Sequence, residues 1–143
     1  MKKCLLVLLT AILCAAALTG CGRNPAATAE IDLGTSSVYS EDDRNAAVRL
    51  ILHQFSTWNG CELHRVSYGG DAECNAENLA WLNELEAAND AKETFTQCIL
   101  FLSDFHSPKH DSGGFNEDFE YTDWQWWLAR SDGGNWKLMS WGY

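Results

Sequence analysis

Cys21 has the most sharply defined chemistry in this sequence. It closes the run Leu18-Thr19-Gly20-Cys21: a large aliphatic residue, two small ones and a thiol. This has the form of a lipobox. The free thiol accepts a diacylglyceryl group, and the small residues let the backbone lie in a signal peptidase cleft. Lys2 and Lys3 give a short positive segment, and residues 5–18 form an uncharged apolar stretch. That stretch is shorter than the roughly 20 apolar residues a membrane-spanning helix needs, so residues 1–20 read as a cleaved export signal. A diacylglyceryl thioether carries two chains, and each buried CH₂ contributes about 0.8 kcal/mol, so the anchor should hold. The expected location is the extracytoplasmic face of the cell membrane, with the membrane as partner through the lipid.

The other cysteines follow from that location. Cys4 and Cys14 lie in the leader, which leaves Cys61, Cys74 and Cys98. An odd number outside the cytoplasm implies one disulfide and one free thiol. Cys61 and Cys74 are close in sequence and each adjoins a loop or element end, so they are the expected pair. Cys98 sits in an apolar run and reads as a buried small hydrophobe, with pairing to either partner left open. No Cys-x-x-Cys spacing or nearby His supports a metal site.

The tryptophans come next. In a strand, Trp124 and Trp126 share one face with Leu128, and Trp127 lies on the other. Such rings can line a pocket for a sugar, a flat ring or a cation. They can equally build the core of a small domain, which is the weightier reading. Asp104 follows an apolar run and can project into a pocket as a general base, with Tyr68 as a bare candidate beside it. Its plainer role is to cap the loop after a strand. The candidate pocket is therefore Trp124, Trp126, Asp104 and Tyr68. His106, His110 and Asp111 have metal-like spacing, but Pro108 and Gly113-Gly114 make the segment a loop. His53 and His64 stand alone. No Gly-x-Ser-x-Gly, phosphate loop or His-Glu-x-x-His is present, so no catalytic residue, metal or cofactor is assigned.

The formal charge is −10. It becomes −12 once Lys2 and Lys3 leave with the signal, since no acid leaves with them. An acidic chain without a basic patch repels phosphate backbones, so no nucleic acid partner is expected.

These residues must be held by a small fold. Residues 21–39 hold Pro25 and little apolar periodicity, and read as the lipidated cysteine and a flexible tether. Residues 40–143 then form a single domain. Ser40 caps a helix over residues 41–58, with Glu41, Asp42 and Asp43 in its first turn and Val48, Ile51, Leu52 and Phe55 at helical spacing. Residues 61–68 predict a strand. Asn75 caps a second helix bearing Leu79, Leu82 and Leu85, with Trp81 beside them. Residues 93–105 predict a central strand. Residues 121–130 and 136–143 predict a hairpin around Asp132-Gly133-Gly134-Asn135. The order α-β-α-β-β-β predicts an α+β class, with two N-terminal helices on one face of a curved, mainly antiparallel four-stranded sheet.

The stretch Tyr121-Thr122-Asp123-Trp124-Gln125-Trp126-Trp127-Leu128-Ala129-Arg130, with Gly133-Gly134-Asn135-Trp136-Lys137 and Trp141-Gly142-Tyr143, resembles the end of a group of uncharacterised Gram-positive lipoproteins. Gly60-Cys61-Glu62-Leu63, Tyr68 and Leu102-Ser103-Asp104-Phe105 match too. The resemblance covers about residues 40–143. It implies a nuclear transport factor 2-like, cystatin-like cone fold with a pocket between sheet and helices, and implies no reaction. Cys74 and Cys98 are not part of the pattern. The leading expectation is a non-catalytic domain that binds a small molecule or an envelope protein. The alternatives are a small isomerase or hydrolase using a pocket carboxylate, and a structural module forming a homodimer through its sheet.

Overall fold

The computed structural model describes residues 28–91 and 93–143. The expected leader and the lipidation at Cys21 lie outside the described residues. The described chain runs β1 (Glu30–Asp32), α1 (Glu41–Phe55), β2 (Glu62–Tyr68), a short 3₁₀ turn (Asp71–Glu73), α2 (Ala76–Ala88), β3 (Gln97–His106), β4 (Glu120–Arg130) and β5 (Lys137–Gly142).

Local chemistry sets both helix starts. The Ser40 hydroxyl accepts from the Asp43 N–H at 3.1 Å, and the Asp43 carboxylate accepts from the Ser40 N–H at 3.2 Å. This reciprocal pair satisfies two otherwise orphaned donors of the first turn. Asn75 caps α2 by accepting from the Asn78 N–H at 2.9 Å. α1 buries Ala47, Val48, Ile51 and Phe55 as one stripe.

The five strands lie in sequence order, with β1 parallel to β2 and the other pairs antiparallel. This corrects the expected four-stranded sheet with two helices leading it. β1 comes from residues assigned to the tether. It is only three residues long, too short to show alternation. The strand between the two helices is as expected, but the helices do not share a face of the sheet. Ile99, Phe101, Phe105, Trp126 and Leu128 pack against the α1 stripe. Cys98, Leu100, Trp127 and Ala129 pack around Leu82 of α2. Neighbours along one strand point to opposite faces, so the sheet is the middle of three layers.

α2 is fastened by polar contacts. The Asn83 amide accepts from the Phe95 N–H at 2.8 Å and donates to the Phe95 carbonyl at 3.1 Å. Glu86, only 2% exposed, takes Lys137 Nζ at 2.5 Å.

Asp104 holds the curvature of the sheet. The β2–β3 register slips between Leu63 and Arg65, and the β3–β4 register slips between Ser103 and Phe105. Asp104 spans both irregularities. Its Oδ2 accepts from Arg65 Nε at 3.0 Å, and its Oδ1 accepts from the N–H of Asp123, a residue at φ 53°. Bulges bend a strand and leave backbone groups unpaired, and here the carboxylate takes up one of them. Asp104→Ala is expected to lower stability by about 1–2 kcal/mol, because the half-exposed ion pair contributes little and the backbone tie more. Asp104→Asn, which keeps an acceptor for Asp123, should cost clearly less. Urea denaturation of the two variants checks this; equal losses would contradict the role of the backbone tie.

Candidate functional site

The sequence-derived pocket residues do not converge. Trp126 is fully buried, donates from Nε1 to Ser103 Oγ at 2.8 Å, and is stacked by Trp58 at 5.1 Å between centroids. Trp124 lies in a cluster with Trp58, Phe105, Phe115, Tyr121 and Tyr143. Both tryptophans belong to the α1-side core. Asp104 has both oxygens engaged in holding the sheet. The Tyr68 hydroxyl donates to Asp71 Oδ1 at 2.7 Å, and its pKa is raised, first by burial. Asp71 also accepts from the Ser36 hydroxyl and from the N–H and hydroxyl of Ser37, which holds its carboxyl well below the usual range. Asp71 thus ties the segment after β1 to the 3₁₀ turn.

The three thiols are unpaired. Cys61 and Cys74 are not brought together. They lie beyond opposite ends of β2, whose seven residues span about 20 Å at the usual rise. Their closeness in sequence is undone by the extended strand between them.

His106 ends β3 in an acidic setting. Its Nδ1 lies 3.0 Å from Glu120 Oε2 and its Nε2 lies 3.1 Å from Asp118 Oδ1; His64 Nδ1 lies 3.0 Å from Glu120 Oε1. The hydrogen bonds to Asp118 and then Glu120 raise the His106 pKa. A raised folded pKa stabilises below the ordinary value of about 6.5, and that contribution is lost as pH rises through the folded pKa. In an NMR titration His106 should titrate above the ordinary range, and Glu120→Gln should bring it down. A wild-type His106 already at the ordinary value would contradict the pairing. Among the described residues no three His, Cys, Asp or Glu side chains are placed so that they could hold one metal ion, this group included.

An open cleft lies at the β5 edge of the sheet, beside α2. Trp81, Gln125, Trp127, Ser140, Trp141, Gly142 and Tyr143 line a shallow cleft of about 80 Å³, open to solvent. Trp127, nearly buried, meets the edge of Trp81 at 5.6 Å and 81°. Its Nε1 donates to Gln125 Oε1 at 2.9 Å, which orients the Gln125 amide. Trp81 is 37% exposed, whereas the Trp141 and Tyr143 rings turn to the α1 side, beside Trp126 and Trp124. The cleft therefore offers aromatic rings beside an oriented amide and a serine hydroxyl. The sequence signal was Trp81, which sits off the Leu79–Leu82 stripe of α2, together with Trp127 on the face opposite Trp126.

No family model, no curated protein and no solved structure matches the chain.

Proposed function

We propose that this chain is a lipid-anchored domain on the extracytoplasmic face of the membrane that binds, without catalysis, a neutral sugar ring of an envelope glycan. The observation that carries the reading is the open cleft with exposed Trp81 beside Trp127 and the oriented Gln125 amide. A pyranose presents C–H groups to a tryptophan face and hydroxyls at its rim, and a cleft with an aromatic wall and a few polar groups suits both. The lipobox at Cys21 and the resemblance to Gram-positive lipoproteins support the envelope location. The formal charge of −12 that remains without Lys2 and Lys3 disfavours anionic ligands, so the ring is a neutral one.

The catalytic alternative is less well supported, because Asp104 is fully engaged by Arg65 and the Asp123 backbone. Dimerisation through an open sheet face is less well supported too, because each face carries a helix. At about 80 Å³ the cleft is several-fold smaller than the roughly 300–1,000 Å³ of deep ligand sites and holds only part of one ring, so affinity should be weak, with Kd on the order of 10⁻⁴–10⁻³ M. Calorimetry with chitotetraose, a neutral N-acetylglucosamine oligomer, tests the reading. Trp81→Ala should weaken binding about 3–10-fold, the equivalent of one aromatic contact. Binding unchanged by Trp81→Ala would place the ligand elsewhere.

A further inference from the structure

The chain turns sharply after β2. A Cβ on Gly69 would lie 2.7 Å from Leu100 Cγ, so only glycine lets the backbone pass this close to β3, where its N–H donates to the Leu100 carbonyl at 2.8 Å. The 3₁₀ turn that follows lays Cys74 beside the start of β3. Cys98 Sγ there lies 3.9 Å from the Glu73 carbonyl oxygen and 3.8 Å from the Asn75 carbonyl oxygen, the two residues flanking Cys74. A sulfur in reach of the carbonyls on both sides of a residue lies against that residue's own backbone. Tyr39 closes the site: its hydroxyl donates to the Cys98 carbonyl at 2.7 Å.

We propose that Cys74 and Cys98 form the disulfide of this domain and that Cys61 is the free thiol. The Cys98 sulfur already lies against the Cys74 main chain, and such nearness of the two residues is the condition for a bridge that leaves the fold in place. The bridge requires the Cys74 thiol to exchange its 3.4 Å contact with the Tyr68 hydroxyl for Cys98, while Tyr68 keeps Asp71. The oxidant is of the disulfide class. The Cys74 thiolate attacks one sulfur of the oxidant's disulfide, forming a mixed disulfide and releasing the other oxidant sulfur as a thiolate. The Cys98 thiolate then attacks Cys74 Sγ, forming the Cys74–Cys98 bond and releasing the second oxidant sulfur. The two protons given up by Cys74 and Cys98 end on the two oxidant thiolates, so the oxidant is reduced by the two electrons the cysteines lose.

Burial pushes the Cys98 thiol up to about 11 and raises Cys74 also. Thiolates are the attacking species, so oxidation of the folded protein is slow and pairing occurs during folding, before the thiols are covered. The bridge closes a loop that contains all of α2, fixing that helix to the sheet in the partly unfolded chain as well. The pairing rests on geometry, and its presence in the cell rests on the proposed extracytoplasmic location.

The test refolds the full chain with glutathione disulfide, alkylates free thiols and maps peptides by mass spectrometry without reduction. The expected product joins the Cys74 and Cys98 peptides, two hydrogens lighter than the separate pair, with Cys61 alkylated. The oxidised chain should melt at least about 10 °C above the reduced one. In Cys98→Ser, Cys74 should stop at the mixed disulfide with glutathione. A Cys61-containing bridge, or Cys74 and Cys98 both alkylated after refolding, would overturn the proposal. Chain alkylated directly in isolated envelopes separates the two claims: a bridge formed on refolding but absent there overturns the location and leaves the pairing standing.

Discussion

Trp126→Ala is expected to lower folding stability by about 3–5 kcal/mol, the range for removing a large aromatic side chain from a packed core. Trp126 is fully buried at the middle of β4, stacked by Trp58 and pressed by the α1 stripe. Its removal leaves a cavity among rings that cannot collapse onto one another, and it strips the partner from Ser103, itself 1% exposed. Domains of this size are stable by only about 5–15 kcal/mol, so the variant should sit close to its unfolding midpoint at 37 °C. Trp124 gives the contrast. Its buried Nε1 has no hydrogen-bond partner among the described residues, so Trp124→Phe removes an unsatisfied donor. Loss of packing area and relief of the orphaned donor then oppose each other, and the net change should stay below about 1 kcal/mol. Urea unfolding of both variants compares them directly. A Trp124→Phe loss as large as that of Trp126→Ala would contradict this picture of the core.

Arg130→Met should be the most damaging change outside the apolar core, lowering stability by about 2–3 kcal/mol at neutral pH. Arg130 joins three elements. Its Nη1 lies 2.6 Å from Asp43 Oδ1 at the start of α1, and its Nε donates to Gln97 Oε1 at 2.6 Å on β3. Its guanidinium lies 4.3 Å from the Trp136 ring centroid, and Trp136 Nε1 donates to the Asp43 carbonyl at 3.0 Å. The Arg130 hydrogen bond, then that of Ser40, holds the Asp43 carboxyl below its usual pKa. A depressed folded pKa stabilises above the unfolded value of about 3.9, and that contribution is lost as pH falls through the folded value. The gap between wild type and Arg130→Met should therefore be widest at neutral pH and shrink as the pH drops below about 4. Unfolding free energies at pH 7 and pH 3 measure it; a gap independent of pH would show that the guanidinium acts by packing alone.

Much of the local structure was legible in the residues. Ser40 and Asn75 cap the helices where their side chains promised it, and Gly133 turns the last hairpin at φ 71°. The layering was misread, although a signal for it was present. Ile99-Leu100-Phe101-Leu102 and Trp126-Trp127-Leu128-Ala129 are apolar without alternation, the pattern of strands covered on both faces. Such strands require a helix on each side, which α1 and α2 supply. Glu30-Ile31-Asp32 carried no comparable signal, because a short edge strand gains its place from pairing with β2 and from the Asp71 tie. The pocket residues were misplaced for a related reason. With both faces covered, Trp126 becomes core, and the exposed ring on the α2 side is Trp81.

The cleft is tested most directly by following tryptophan indole N–H signals of the ¹⁵N-labelled, detergent-solubilised chain during titration with chitotetraose. The Trp81 and Trp127 signals should move together and saturate with a single Kd by about 10 mM, while that of buried Trp126 stays fixed. Trp81 and Trp127 signals that stay still across that range, or a response confined to Trp124 and Trp136, would contradict the proposed site.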